Sequence, residues 1–136
     1  MALDNVELVQ EGTRLFKGTD DEATVRFVIE HTHPDFEVRS RFAEVQGMTY
    51  HGPDGVRQWL RDIRANFDRF ETRFSDVRDL GDRVLALGVL HLRGKGSGVE
   101  MEQPVGNVWE LRDGKATRMH FYGSHSDALE AVGLSE

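Results

Sequence analysis

The sequence contains no cysteine. Disulfide scaffolds, thiol nucleophiles, thiolate zinc sites and cysteine-ligated clusters are therefore excluded. No apolar run approaches the roughly 18 residues that a membrane span needs. Basic residues are in the minority, 17 against 24 acidic ones, for a net charge of −7. That balance opposes both a coat on nucleic acid and a polybasic membrane contact, and neither partner is expected. Met1 to Gln10 has neither the basic nor the apolar region of a secretory signal, so the cytoplasm is the expected compartment. Internal repeats, low-complexity tracts and domain linkers are missing as well. What remains is a chain of 136 residues, 38% hydrophobic and 30% charged, the balance of a globular protein. Residues 1–136 read as one domain, large enough to bury roughly two-thirds of its unfolded surface around a single core.

The first half has helical periodicity. Val6, Val9, Thr13 and Phe16 share one face of a helix expected from about Asp4 to Lys17, with Gly18 ending it. Thr19 and Glu22 have the spacing of a capping box for a second helix. Its stripe is Thr24, Phe27, Val28 and His31, and Pro34 stops it. A strand is expected from Phe36 to Arg41, then a short extended piece at Thr49 to His51. Gly52-Pro53 begins a third helix, with proline in its first turn. Val56, Trp59, Leu60, Ile63, Phe67 and Phe70 form its wide apolar stripe, opposite Arg57, Arg61, Asp62, Arg64 and Asp68.

From Glu71 the period changes to two. Four strands are expected, at Glu71–Asp79, Asp82–Arg93, Val99–Arg112 and Lys115–Ser124. Gly81-Asp82 and Asp113-Gly114 are tight-turn signals, and Gly94 to Gly98 is a looser connection. Ser126 caps a last short helix that Gly133 closes. Consecutive strands joined by such turns form an antiparallel meander, and three amphipathic helices can bury their stripes only against one face of it. The fold class is α+β. Gly88 and Gly106 inside long strands imply a strongly bent sheet, and a bent sheet closed by helices leaves a conical cavity suited to small apolar ligands.

Four stretches resemble the cone-shaped NTF2-like superfamily, and within it the SnoaL-like, polyketide-cyclase-like branch. They are His33–Val38 at the opening of the first strand, Tyr50–Val56 before the third helix, the Val108–Lys115 hairpin and the Ala128–Leu134 tail. The resemblance implies a homodimer, as does the need to cover the convex sheet face. It implies no single activity, because this fold hosts isomerases, cyclases, epoxide hydrolases, dehydratases, ligand binders and transport factors. The Asp base that ketosteroid isomerases carry late in the first strand corresponds here to Ser40. Their oxyanion-binding Asp falls near Asn107, which can donate a hydrogen bond without a pKa shift. Their partner Tyr has no counterpart, since the first helix contains none. The acid/base Asp of SnoaL-type cyclases falls at or next to Phe121, and the Asp-Arg-Asp set of the epoxide hydrolases is not evident.

The residues themselves leave alternatives open. Asn107, Trp109 and Leu111 alternate on one face of the fifth strand, taken as concave. There Asn107 either orients a ligand carbonyl or satisfies backbone groups at a bend, and Trp109 is core or pocket wall. Met119, Phe121 and Gly123 form the apolar face of the last strand. His120 and Tyr122 then face outward, unless a bulge reverses the register and carries this acid/base pair into the cavity. Asp35 is a second proton-carrier candidate near the cone mouth, or a turn residue after Pro34. Tyr50, Trp59 and Phe27 are further wall candidates. His31, His33 and His51 are not expected to hold a metal, there being no H-E-x-x-H pattern. Gly94–Gly98 lacks the spacing of a phosphate loop, and no nucleotide or flavin motif calls for a cofactor. The expectation is a small-molecule pocket protein; if it is an enzyme, the expected chemistry is cofactor-independent acid/base catalysis on an apolar, carbonyl-bearing or polycyclic molecule. The alternatives are a non-catalytic binder of an apolar small molecule and a dimeric interaction module.

Overall fold

The structure is a computed structural model and describes residues 3–17, 20–39 and 49–134. Gly18, Thr19, Ser40 and Arg41, to which the sequence reading assigned roles, lie outside the described residues.

Helix α1 spans Asn5–Lys17. It opens on a reciprocal capping box: the Glu7 N–H donates to Asp4 Oδ1 at 2.7 Å, and the Asp4 N–H donates to Glu7 Oε1 at 3.1 Å. Helix α2 spans Asp21–His31 and is capped by Asp20, whose Oδ1 accepts from the Ala23 N–H at 3.0 Å. It ends before Pro34, as the restriction on the residue preceding proline requires, and the chain continues directly as β1 (Thr32–Arg39). After β2 (Tyr50–His51), helix α3 covers Gly52–Asn66 with Pro53 in its first turn. The remaining elements are β3 (Phe67–Asp79), β4 (Arg83–Gly94), β5 (Glu100–Arg112), β6 (Lys115–Tyr122) and α4 (His125–Ala131).

Three expectations are corrected. Asp20 is the N-cap of α2, where a capping box from Thr19 was expected. The apolar stripe of α3 runs on through Phe67 and Phe70, but the helix stops at Asn66. Phe67 is already extended and pairs with Gly94, and Phe70 pairs with Leu92. The ladder with β4 overrides the helical period, yet Phe70 still reaches the core. Ser124, not Ser126, caps the last helix: its Oγ accepts from the Asp127 N–H at 3.1 Å.

The six strands form one sheet in the order β2-β1-β6-β5-β4-β3. The β3-β4-β5-β6 run is the expected antiparallel meander, and β1 lies parallel to β6. The Asp113-Gly114 turn has positive φ at both residues, +55° and +78°, the hairpin geometry that the dipeptide signals. Helices α1 to α3 cover the concave face over the main core, which includes Leu8, Val25, Val56, Leu60, Trp109 and Phe121. On the opposite face α4 buries a smaller cluster of Leu85, Leu87, Val108, Ala128, Leu129 and Val132. Among the described residues no helix is long and apolar enough to cross a membrane.

The two strand glycines have different reasons. Gly88 sits where the β3–β4 register shifts between Phe74 and Asp76, and a Cβ there would lie 1.9 Å from the Arg73 carbonyl oxygen. It permits the bulge that curves the sheet. Gly106 instead makes room for a helix, because a Cβ would fall 2.3 Å from Ala128 Cβ on α4. Gly106→Ala is therefore expected to lower the unfolding free energy by about 1–3 kcal/mol through overpacking. Adding Ala128→Gly should recover part of it. Urea denaturation of the four proteins in the double-mutant cycle checks this, and strictly additive losses would show that the two sites do not touch.

Candidate functional site

The concave side encloses a narrow cavity of about 40 Å³. Each wall follows from the period of the element that supplies it. Helix α1 contributes Gly12, Thr13 and Phe16, one turn of a single face. Helix α2 contributes Thr24, Phe27 and Val28, and α3 contributes Val56 and Trp59. The strands contribute alternate residues: Thr32, Phe36 and Val38 from β1, Thr72 from β3, Asn107 and Trp109 from β5, Met119 and Phe121 from β6.

Aromatic packing shapes the interior. Phe16 stacks on Trp59 with ring centroids 4.8 Å apart, and Trp59 meets Phe121 edge-on at 6.2 Å. Phe36 lies 6.2 Å from Trp109. Gly12 lets α1 approach closely, since a Cβ there would sit 3.0 Å from the Phe27 ring and 3.1 Å from the Trp109 ring. Among the described residues, no wall residue is ionisable.

The polar content of the walls is small and unusual. The Thr13, Thr24 and Thr32 hydroxyls donate to backbone carbonyls of Val9, Leu15 and Val28 at 2.8, 3.3 and 2.5 Å. Among the described residues, three other buried polar atoms have no hydrogen-bond partner: Trp59 Nε1, Trp109 Nε1 and Asn107 Oδ1. Their residues are only 2–4% exposed, and all three residues line this one cavity. Buried polar groups are normally paired, so three orphans around a single space call for a reason.

The structure thus brings together Asn107, Trp109, Phe121, Met119, Trp59 and Phe27. It does not bring the proposed proton carriers to them. The β5–β6 register is unbroken from Gly106↔Tyr122 to Glu110↔Arg118, with its one shift beyond Glu110. No bulge reverses the strand, so His120 and Tyr122 face the opposite side from Met119 and Phe121. His120 Nε2 pairs there with Glu37 Oε2 at 2.5 Å, and Arg118 Nε lies 3.2 Å from the same oxygen. Tyr122 packs against the cluster beneath α4. Asp35 is exposed and outside the walls. Tyr50 is buried but is no wall residue: its hydroxyl donates to Asp62 Oδ2 at 2.6 Å. Burial and that carboxylate push its phenol well above the ordinary range.

Phe16, Phe36, Val38 and Thr72 are among the wall residues that the sequence pattern did not assign to the pocket. Phe16 closes the α1 stripe, and Phe36 and Val38 alternate on β1, so the periods that placed the core also carried these walls. Nothing local marks Thr72, whose position depends on β3 pairing.

Two outcomes follow. Asn107→Leu removes an orphaned acceptor, so stability should change by less than about 1 kcal/mol or rise. A fully bonded asparagine would cost about 1–3 kcal/mol in the same denaturation experiment. On the outer face, partial burial pushes the Glu37 carboxyl up, but the His120 hydrogen bond and the Arg118, His120 and Arg39 charges outweigh it and hold it below its usual value. A lowered carboxyl stabilises the fold above its unfolded pKa and loses that contribution as pH falls through the folded one. Glu37→Gln should therefore cost about 1 kcal/mol near neutrality. The gap to the wild type should close between about pH 5 and pH 3. A gap that stays constant to pH 3 would show that the charge does not matter.

Comparison with known proteins agrees with this architecture. A ketosteroid-isomerase-like protein from Catenulispora acidiphila, solved in complex with trimethylamine, superposes with a TM-score of 0.74 at 20% identity, covering 98% of this chain and 96% of that one. TerC, co-crystallised with polyporic acid, gives 0.73 at 22% identity, with 88% and 91% covered. A protein from Jannaschia sp. CCS1 described as a candidate SnoaL-like polyketide cyclase gives 0.67 at 19%, with 90% of each chain covered. At these identities the likeness shows the NTF2-like fold. No curated protein sequence matches significantly. Residues 13–119, most of the chain and all of the cavity's strand walls but Phe121, match the SnoaL-like domain. The chain belongs to the SnoaL-like domain family.

Proposed function

We propose that the protein binds an apolar small molecule in the cone and holds it without proton transfer from the surrounding walls. One observation carries this reading: the cavity is ringed by aromatic and aliphatic side chains and, among the described residues, by no group that titrates. General acid/base catalysis needs a side chain within hydrogen-bond reach of the proton it moves. His120, the best-placed base by sequence, is separated from the cavity by the sheet itself. Trimethylamine in one structural relative and polyporic acid in another support a ligand-holding role for this cone.

Size adds a condition. A dry engineered cavity that takes benzene measures about 150 Å³. The present 40 Å³ admits a ring only if a wall side chain moves. Phe16 is the wall aromatic best placed to do so, being half-buried near the end of α1. Toluene should bind saturably to the purified protein in a calorimetric or NMR titration. Phe16→Ala should bind it at least about tenfold tighter, because the space then exists in advance. In D2O the methyl protons of acetophenone should exchange no faster with the protein than without it. Absence of saturable toluene binding to both proteins would overturn the binding role, and accelerated exchange would restore the acid/base reading.

A further inference from the structure

We propose that the first part of β5 is a docking edge for an extended segment of another protein, one in which basic and apolar residues alternate. This surface is separate from the cavity and does not depend on what the cavity holds.

The sheet leaves the edge open for a simple reason. Strand β5 runs from Glu100 to Arg112, but β6 pairs with it only from Gly106 onward, because the chain leaves the sheet after Tyr122 to enter α4. On the other side, residues 100–105 pair with β4 throughout. Among the described residues, no other strand and no loop makes a backbone hydrogen bond to residues 100–104. An open edge presents N–H and C=O groups that template one more strand. Pro104 stands in this stretch, and proline within a sheet is confined to edges and bulges.

Register sets what the added strand must carry. Thr72 and Asn107 mark the concave face, and by alternation Phe70, Leu92 and Met101 form one cross-strand row on it. Phe70 is buried and Leu92 half-buried, but Met101 is 53% exposed, so the row loses its cover at β5. Val99, two residues earlier, is 59% exposed. An apolar residue opposite Met101 completes the row. On the convex face the rows are Arg69, Arg93, Glu100 and Glu71, His91, Glu102. Each ends in a carboxylate. Glu100 lies 3.7 Å from Arg69 and Glu102 lies 3.3 Å from His91, yet their side chains stay 62% and 60% exposed. Basic residues opposite both glutamates extend the rows with opposite charge. Basic, apolar, basic in succession is the alternation of a single extended segment.

The same glutamates exclude a second copy of this edge. Two copies paired antiparallel about Met101 set Glu100 of each against Glu102 of the other, and like charges directly opposite are destabilising. The acidic guard thus blocks self-pairing and admits a basic partner. The outer edge of β3 is also open among the described strands. It mixes Arg69, Glu71, Arg73 and Asp76 and shifts register between Phe74 and Asp76, so it specifies no partner of one charge.

A capped peptide of four Lys-Val repeats is the probe. Its controls are four Glu-Val repeats and the Lys-Val peptide N-methylated at its two central residues, which blocks strand pairing on both of its edges. Titrated into the 15N-labelled protein, the Lys-Val peptide should saturably shift the amides of residues 100–103, and added salt should weaken it. Both controls should bind at least about tenfold more weakly. The double variant Glu100→Lys, Glu102→Lys should lose about tenfold for Lys-Val repeats and prefer Glu-Val repeats. The wild-type comparison of three peptides stands by itself should that variant fail to fold. Shifts centred elsewhere, equal binding of any control, or no saturable binding overturns the proposal. Shifts at residues 100–103 that depend on the concentration of the protein alone would place a second copy on the edge and overturn it as well.

Discussion

A side chain on a strand can face only one side of its sheet, and in this protein that alternation separates two chemistries. Along β6 the inward residues are Met119 and Phe121, and the outward ones are Arg118, His120 and Tyr122. Along β5, Asn107 and Trp109 face in, while Val108 and Glu110 face out. A slip of one residue would exchange the two sets and put Arg118 and His120 into an aromatic cavity while exposing Trp109 and Phe121. Buried unpaired charge is costly enough to forbid that arrangement. The register is therefore held from both faces, by the apolar core within and by the Glu37, His120 and Arg118 cluster without. That cluster also ties β1 to β6, the one parallel pair among the described strands, through Glu37 of β1.

This sorting explains what was legible in the sequence. Period-two alternation on β5 and β6 assigns Asn107, Trp109, Met119 and Phe121 to the concave side, and the structure agrees. The helical stripes place Phe27 and Trp59 on the inner face for the same reason. What could not be read depends on contacts between distant segments. The stripe that ends α3 continues in the same rhythm into β3, and only pairing with β4 tells helix from strand at Phe67. The alternative that brought His120 inward needed a bulge, and bulges reflect a mismatch between two strands rather than the pattern of one. The sequence suggests a bend at Gly106, but the cause of its missing side chain is α4, which reaches it through Ala128. Tyr50 fitted an inward-facing piece, and its hydroxyl found Asp62 instead.

The cavity is poorly designed if stability were its purpose. Phenylalanine in place of either indole would leave no orphaned donor, and leucine at Asn107 no orphaned acceptor. Each such atom costs about 1–3 kcal/mol when buried alone, a large amount against the marginal stability of a small domain. Elsewhere the protein is careful with its polar groups: the α1 and α2 caps are bonded, Thr13, Thr24 and Thr32 donate to the backbone, and Tyr50 has its carboxylate. A local violation within a consistent structure is the usual mark of a functional place. A ligand that completes these bonds binds the folded state alone, and so returns part of the missing stability by linkage.

The walls are also unequal in how far they can yield to such a ligand. Trp109, Asn107 and Phe121 stand on neighbouring strands whose ladder fixes their spacing, and Trp59 is buried on the long helix α3. Moving any of them means moving the sheet or a 15-residue helix. Phe16 has no such anchor. It lies half-buried in the last turn of α1, held by ring contacts to Trp59 and Phe70. Four residues earlier Gly12 presses α1 onto Phe27 and Trp109, so the helix axis is fixed at that point while the side chain beyond it is not. Rotating one aromatic ring costs its stacking, of order 0.5–1.5 kcal/mol beyond area burial, whereas shifting a strand breaks a row of backbone hydrogen bonds. The yielding wall of the cavity is thus Phe16 of α1, and the fixed ones stand on α3 and the sheet.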